Sequence, residues 1–131
     1  MRIVMIIALF TLTTFASDQI VKGKLYTPAT TQQFNEILQK HEFVVVDFYA
    51  EWCQPCRQLH KVLDALAADK DLDEILFVKI DTQQHSALAS TYNITSVPVV
   101  ILFVDGVLLT TVYGYKDKKI LKQILQQSFF E

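Results

Sequence analysis

Cysteine is scarce in this chain, with two residues in 131. That excludes a small fold held by a disulfide framework, which needs several bridges. It also excludes a complete cysteine zinc site, because two sulfurs supply only half of a tetrahedral set. Basic residues are not in surplus: 12 stand against 14 acidic ones, a formal net charge of −2, or −3 without Arg2. Nucleic-acid-binding domains usually carry a basic patch, so no nucleic-acid partner is expected. No apolar run reaches the roughly 20 residues that span a bilayer. With three glycines and three prolines, the chain holds no low-complexity tract, no internal repeat and no linker that would divide it. Its length suits one domain with a hydrophobic core of its own.

The first residues read as a secretory leader. Arg2 is a minimal basic start, Ile3 to Phe10 and Leu12 to Phe15 form the apolar stretch, and Thr14, Phe15 and Ala16 fit a small-x-small cleavage site. The expectation is a signal peptide over residues 1–16 and one domain over 17–131, exported to the periplasm or secreted. Such a compartment is oxidising, and an exposed cysteine pair there becomes a disulfide by default.

Beyond a mixed stretch with a short edge strand at Gly23 to Tyr26, Thr30 and Gln33 have the spacing of a capping box. Phe34, Ile37 and Leu38 then give one apolar helix face, ending near His41. Phe43 to Tyr49 is the strongest strand signal. Three consecutive valines without alternation predict burial on both faces, as in a parallel or mixed sheet covered by helices. A helix follows from Cys53 to Lys70, with Leu59, Val62, Leu63, Leu66 and Ala67 as its stripe. Asp69 to Glu74 reads as a charged loop, Leu76 to Asp81 as a strand, and Ser86 to Tyr92 as a short helix. Val99 to Val104 and Val107 to Tyr113 are strands joined by the hairpin signal Asp105-Gly106. Lys116 to Gln127 is the last helix, with Ile120, Leu121, Ile124 and Leu125 facing inward. The pair Phe129-Phe130 is open between packing and an exposed patch. The predicted fold class is α/β, a three-layer sandwich with a mixed central sheet and helices on both faces.

The two cysteines, Cys53 and Cys56, lie where the valine-rich strand ends and the second helix begins. A cysteine pair opening a helix is the usual construction of a redox dithiol, because the helix N-terminus favours a thiolate on the first sulfur. Asp47 interrupts an apolar strand. A buried unpaired carboxylate there costs several kcal/mol, of the order set by desolvation, and would hold its proton to higher pH; a register turning Asp47 to solvent is the alternative. Lys79 is open between a role near Asp47 and that of an edge residue whose stem lies along the surface. Pro98 precedes a strand, where a trans proline is also tolerated. His60 and His85 read as surface or helix-face residues and His41 as a helix-end residue.

Val46-Asp47-Phe48-Tyr49-Ala50-Glu51-Trp52-Cys53-Gln54-Pro55-Cys56, Val78 to Asp81, Val97-Pro98 roughly 42 residues beyond the cysteines, Asp105-Gly106 and Gly114 together resemble the thioredoxin family over essentially all of the mature region. The resemblance implies a thiol-disulfide oxidoreductase acting on protein disulfides. Cys53 would be the exposed nucleophilic thiolate and Cys56 the partly buried resolving thiol, with Asp47 as proton acceptor and Lys79 nearby. Trp52, Gln54 and Pro55 would flank the substrate. Val97 would pair with an extended substrate segment, Pro98 would be cis and face the disulfide, and Gly114 would allow close approach. No cofactor is implied. An exported reductant would draw electrons from a membrane thiol-disulfide donor, and the protein is expected to act as a monomer. A disulfide oxidase or isomerase is the alternative within the class. A binding module that holds a partner protein or Cu(I) on its two thiols is the alternative outside it. Gln54 stands where the commonest members have glycine, Tyr49 where many have a second tryptophan, Lys61 where many have a helix-kinking proline, Val99 where threonine is common, and Tyr115 where a small residue is usual. These departures point away from a generic cytoplasmic role.

Overall fold

The computed structural model of the chain describes residues 20–131. The expected leader, its cleavage site and residues 17–19 lie outside the described residues. The element order is α1 (Thr31–Lys40), β1 (Phe43–Tyr49), α2 (Gln54–Ala67), a 3-10 turn (Lys70–Leu72), β2 (Ile75–Asp81), α3 (Ser86–Thr91), β3 (Val99–Val104), β4 (Val107–Tyr113) and α4 (Lys118–Phe130). Four strands form one sheet in the order β2-β1-β3-β4. β1 runs parallel to β2, reached through the crossover helix α2, and antiparallel to β3, which forms a hairpin with β4.

β1 is central, which is why its valines need no polar alternation. Val44, Val46 and Phe48 face α1 and α3, packing with Phe34, Ile37, Leu38 and Leu88. Val45 faces the other way, toward Leu59, Leu63 and Leu66 of α2 and Leu121 and Leu125 of α4. The two-residue pleat therefore puts Asp47 on the α2 side of the sheet. The expected sandwich, a mixed sheet between two helix layers, is the observed one.

Local sequence sets the element ends. Thr30 caps α1, its Oγ1 accepting the Gln33 N–H at 3.1 Å, while Gln33 Oε1 accepts the Ala29 N–H at 2.7 Å. The Gln33 side chain thus reaches one residue further back than a standard capping box. At the β3–β4 turn Asp105 and Gly106 both have positive φ, 50° and 78°, the geometry whose twist matches a tight hairpin. The edge-strand expectation at Gly23 to Tyr26 shrinks to one parallel bridge between Tyr26 and Val78.

Three expectations need correction. α2 stops at Ala67 rather than Lys70, and the expected charged loop contains the 3-10 turn, which buries Leu72. α4 begins after its cap, Asp117, whose carboxylate accepts the Ile120 N–H at 2.9 Å, and it continues to Phe130. Ile120 does not face inward: it is exposed, and Leu121 and Leu125 alone of the four are fully covered. The helix runs on to its end because the Phe129 and Phe130 rings both pack against Phe43, at 5.2 Å. Lys122 ties α4 to the 3-10 turn, reaching Asp69 at 2.7 Å and Asp71 at 2.9 Å.

Candidate active site

Cys53 and Cys56 are joined as a disulfide, with Cα atoms 5.3 Å apart. Cys53 is the N-cap of α2 and Pro55 lies in its first turn, where a missing N–H costs no helical bond. The Cys56 N–H donates to Cys53 Sγ at 3.2 Å. A sulfur in this position receives a backbone donor and the positive end of the helix dipole, both of which favour its anionic form.

The end of β1 is pinned so that the pair is held firmly. Tyr49 O accepts both the backbone N–H and the hydroxyl of Thr82, at 2.9 and 3.0 Å. Cys53 N donates to Ala50 O at 3.1 Å, and Arg57 Nη1 donates to Glu51 O at 2.9 Å. Tyr49, Ala50 and Val97 pack around the two sulfurs. That packing explains a difference from expectation. Cys53 is only 4% exposed and Cys56 is fully buried, rather than exposed and partly buried, because in the disulfide both sulfurs turn toward these neighbours.

The Val97–Pro98 bond is cis, and Pro98 is buried. Gly114, at φ +77°, donates its N–H to Pro98 O at 3.0 Å; a Cβ there would meet only the tip of Lys116, at 4.0 Å, so this backbone stays open to an approaching chain. Trp52 is 69% exposed. It lines, with Thr82, Ile94, Thr95, Ser96 and Val97, a groove of about 140 Å³ beside the disulfide. Gln54 and Pro55 are exposed at the start of α2, and Tyr115 is exposed next to Gly114. Of the expected substrate-side residues, the structure brings Trp52 and Val97 together in one groove.

Asp47 is completely buried, so the solvent-facing register is excluded. Its Oδ2 lies 2.8 Å from His60 Nε2. The approach is close in distance but poor in direction, and neither carboxylate oxygen accepts a hydrogen bond. The two side chains are in polar contact without a formed hydrogen bond. Burial pushes the Asp47 carboxyl above its usual range, and His60 and, more weakly, Lys79 pull it back only in part. Burial likewise raises the Tyr49 phenol, helped by the carboxylates of Asp81, Glu51 and Asp47.

Lys79 pairs with Asp47 in the β1–β2 register but makes no ion pair with it. Its ammonium lies over the Tyr49 ring, 5.8 Å from the centroid. The direct neighbour of Asp47 is His60, expected from its sequence position to be a surface or helix-face residue. One signal was available: His60 follows Cys56 by four positions, so both project from the same face of α2. His41 is the C-cap of α1 and His85 the N-cap residue of α3. Among the described residues no group of three or more His, Cys, Asp or Glu is placed to hold a metal ion.

Chemically, the arrangement offers a sulfur pair that can open and close, a helix terminus that favours a thiolate, and a buried carboxyl on the α2 side of the sheet, beside His60. The thioredoxin family model matches residues 26–127. A thioredoxin of Chlamydia pneumoniae is 43% identical over 84 residues, 64% of this chain and 80% of that protein. A thioredoxin of Mycoplasmoides gallisepticum is 38% identical over 94 residues, 72% and 92% of the two chains. Among solved structures, a mutant thioredoxin from Halobacterium salinarum superposes with a TM-score of 0.75 at 30% identity, covering 82% of this chain and 92% of its own. The oxidised thioredoxin of Plasmodium falciparum gives 0.71 at 27% identity, covering 79% and 97%. With its fold, its Cys53–Cys56 pair and this breadth of similarity, the chain belongs to the thioredoxin family of disulfide oxidoreductases.

Proposed function

We propose that this protein is an exported, periplasmic reductant of protein disulfides, working as a monomer and recharged by a membrane thiol-disulfide donor. In the reduced protein the Cys53 thiolate attacks a substrate disulfide and forms a mixed disulfide. Cys56 then attacks Cys53 Sγ, closes the Cys53–Cys56 bond and releases the substrate thiolate. Holding Cys56 one turn away makes this second step intramolecular and fast. Asp47 takes the proton that Cys56 must lose. Trp52, Val97, the backbone beside Pro98 and Gly114 receive the substrate segment, while Gln54 and Pro55 tune the pair.

The observation that carries this reading is Cys53 as the cap of α2, with the Cys56 N–H on its sulfur at 3.2 Å. The leader-like first 16 residues support export. No helix among the described residues is long and apolar enough to cross a membrane.

Reduction of insulin by dithiothreitol tests the turnover: the protein should accelerate it, and Cys53→Ser should abolish the acceleration. Cys56→Ser should instead accumulate mixed disulfides from a periplasmic extract. A Cys56→Ser protein that traps nothing would contradict the resolving role, and an inert parent protein would leave a thiol-bearing binding module as the better reading.

A further inference from the structure

A buried acid that accepts a proton in each turnover must also lose it. Asp47 has no exposed atom, and neither of its oxygens is hydrogen-bonded. Its close polar neighbour, His60, approaches it to 2.8 Å and is itself 19% exposed through its side chain. His60 also lines a cavity of about 110 Å³ with Tyr49, Ala50, Glu51, Arg57 and Lys79. The imidazole thus spans the distance between a sealed carboxyl and an open cavity. The edge-on Tyr49 ring, 4.6 Å away, holds it in that pose.

We propose that His60 carries the proton of the resolving step from Asp47 to solvent through this cavity. The inference rests on the dithiol reading above. The chemistry suits imidazole and not the neighbouring lysine. One ring nitrogen can accept a proton while the other releases one, whereas an ammonium only donates. The titratable and charged groups around His60 are Asp47 and Tyr49 of β1, Lys79 of β2, Glu51 of the intervening turn, and Cys56 and Arg57 of α2.

The step balances as follows. Cys56 S–H gives its proton to the Asp47 carboxylate, and the resulting thiolate attacks Cys53 Sγ. The Cys53–Cys56 bond forms and the bond from Cys53 to substrate sulfur breaks. The substrate leaves with the electron pair, so the dithiol is oxidised by two electrons and the substrate disulfide is reduced. A small turn of the imidazole brings His60 Nε2, already 2.8 Å from Asp47 Oδ2, into line; Asp47 passes it the proton, and the other ring nitrogen releases one to water in the cavity. Asp47 is then ionised and ready to take the next Cys56 proton, and when the donor reduces the pair a proton returns from water through His60 to Asp47 and on to Cys56. His60 touches no reacting sulfur, so it acts through Asp47 as a positioning and relay residue. Burial, which raises the Asp47 carboxyl, is what makes a route for shedding the proton necessary.

The test is the rate at which the reduced protein is oxidised by a substrate disulfide, followed across pH for the parent, His60→Ala and His60→Gln. Both variants should be slower by about a hundredfold, the low end for a positioned proton transfer, with melting temperatures and redox equilibrium near those of the parent. Added imidazole should restore the alanine variant, which leaves space for it, and not the glutamine variant, which fills it. Parent-like rates in both variants, or slow rates that imidazole does not restore in the alanine variant, would overturn the relay. If the alanine variant does not fold, the glutamine variant decides. A slow rate with an altered pH profile supports the relay, and a parent-like rate and profile overturn it. An inert parent protein would overturn the dithiol reading and the relay together, whereas an active parent with unaffected variants removes the relay alone.

Discussion

The backbone N–H of Cys56 points at the sulfur of Cys53 across 3.2 Å. In the dithiol form the same donor meets a thiolate, and a charge-assisted hydrogen bond is stronger than a neutral one. Cys53 is therefore expected to ionise at lower pH than a free cysteine. Iodoacetamide labelling of the reduced protein across pH should show one cysteine reacting early and Cys56, buried and without that position, reacting late. Two thiols titrating together would contradict the role assigned to the cap.

Asp47 gives a stability prediction with a definite sign. Its folded-state value is raised by burial. Below the ordinary carboxylate range both the folded and unfolded chains hold the proton, and no penalty is felt. As pH rises through the raised folded value, the unfolded chain has already ionised, so stability falls. Asp47→Asn removes this loss and should stabilise the protein by roughly 1–3 kcal/mol at pH 8, with little effect at pH 3.5. Urea denaturation at both pH values measures it; a gap that does not change with pH would contradict the account. The same variant should slow the resolving step by roughly 100-fold or more.

Trp52 is mostly solvent-exposed on the groove wall, so its removal should be felt by substrate rather than by the fold. Trp52→Ala should raise KM for a protein disulfide several-fold while stability moves by no more than about 0.5 kcal/mol. Steady-state kinetics paired with denaturation separates these. A large loss of stability would mean that the indole packs into the fold.

Gly106 and Gly114 both have left-handed φ, but their surroundings differ. A Cβ at Gly106 would come within 3.2 Å of the Leu38 carbonyl oxygen, while at Gly114 it meets only the end of a lysine at 4.0 Å. Each alanine variant should lose about 1–2 kcal/mol from the conformation alone. Gly106→Ala should lose more, because it also pushes the hairpin away from α1. Gly114→Ala should combine its small loss of stability with weaker substrate binding. Urea midpoints rank the two, and an equal loss would contradict the contact at Leu38.

The layers of the fold were legible wherever a residue pattern has one physical outcome. Three valines in a row demand two apolar faces, Asp105-Gly106 favours a tight hairpin, and the Thr30 cap sets where α1 begins. The ends of α2 and α4 were less legible. They depend on Leu72 finding a pocket and on Phe129 and Phe130 reaching Phe43, contacts far apart along the chain. The site was readable along β1 and the start of α2, where strand, cysteines and helix are contiguous. His60 carries no such contiguity. Its partner sits 13 positions earlier, on the other side of a strand-helix junction, and a lone histidine beside an apolar stripe carries no mark of what it touches. Lys79 was legible in part: its register beside Asp47 is real, while the seat of its ammonium over the Tyr49 ring depends on a side-chain path that no sequence spacing records.

The reductant reading is tested most directly by the equilibrium reduction potential of the Cys53–Cys56 pair, measured by redox titration of the purified protein. The account predicts a value near about −270 mV, the level characteristic of thioredoxins. A value near about −120 mV, the level of a strong disulfide donor, would contradict it: the Cys53 thiolate would then be stabilised so far that the protein oxidises its substrates.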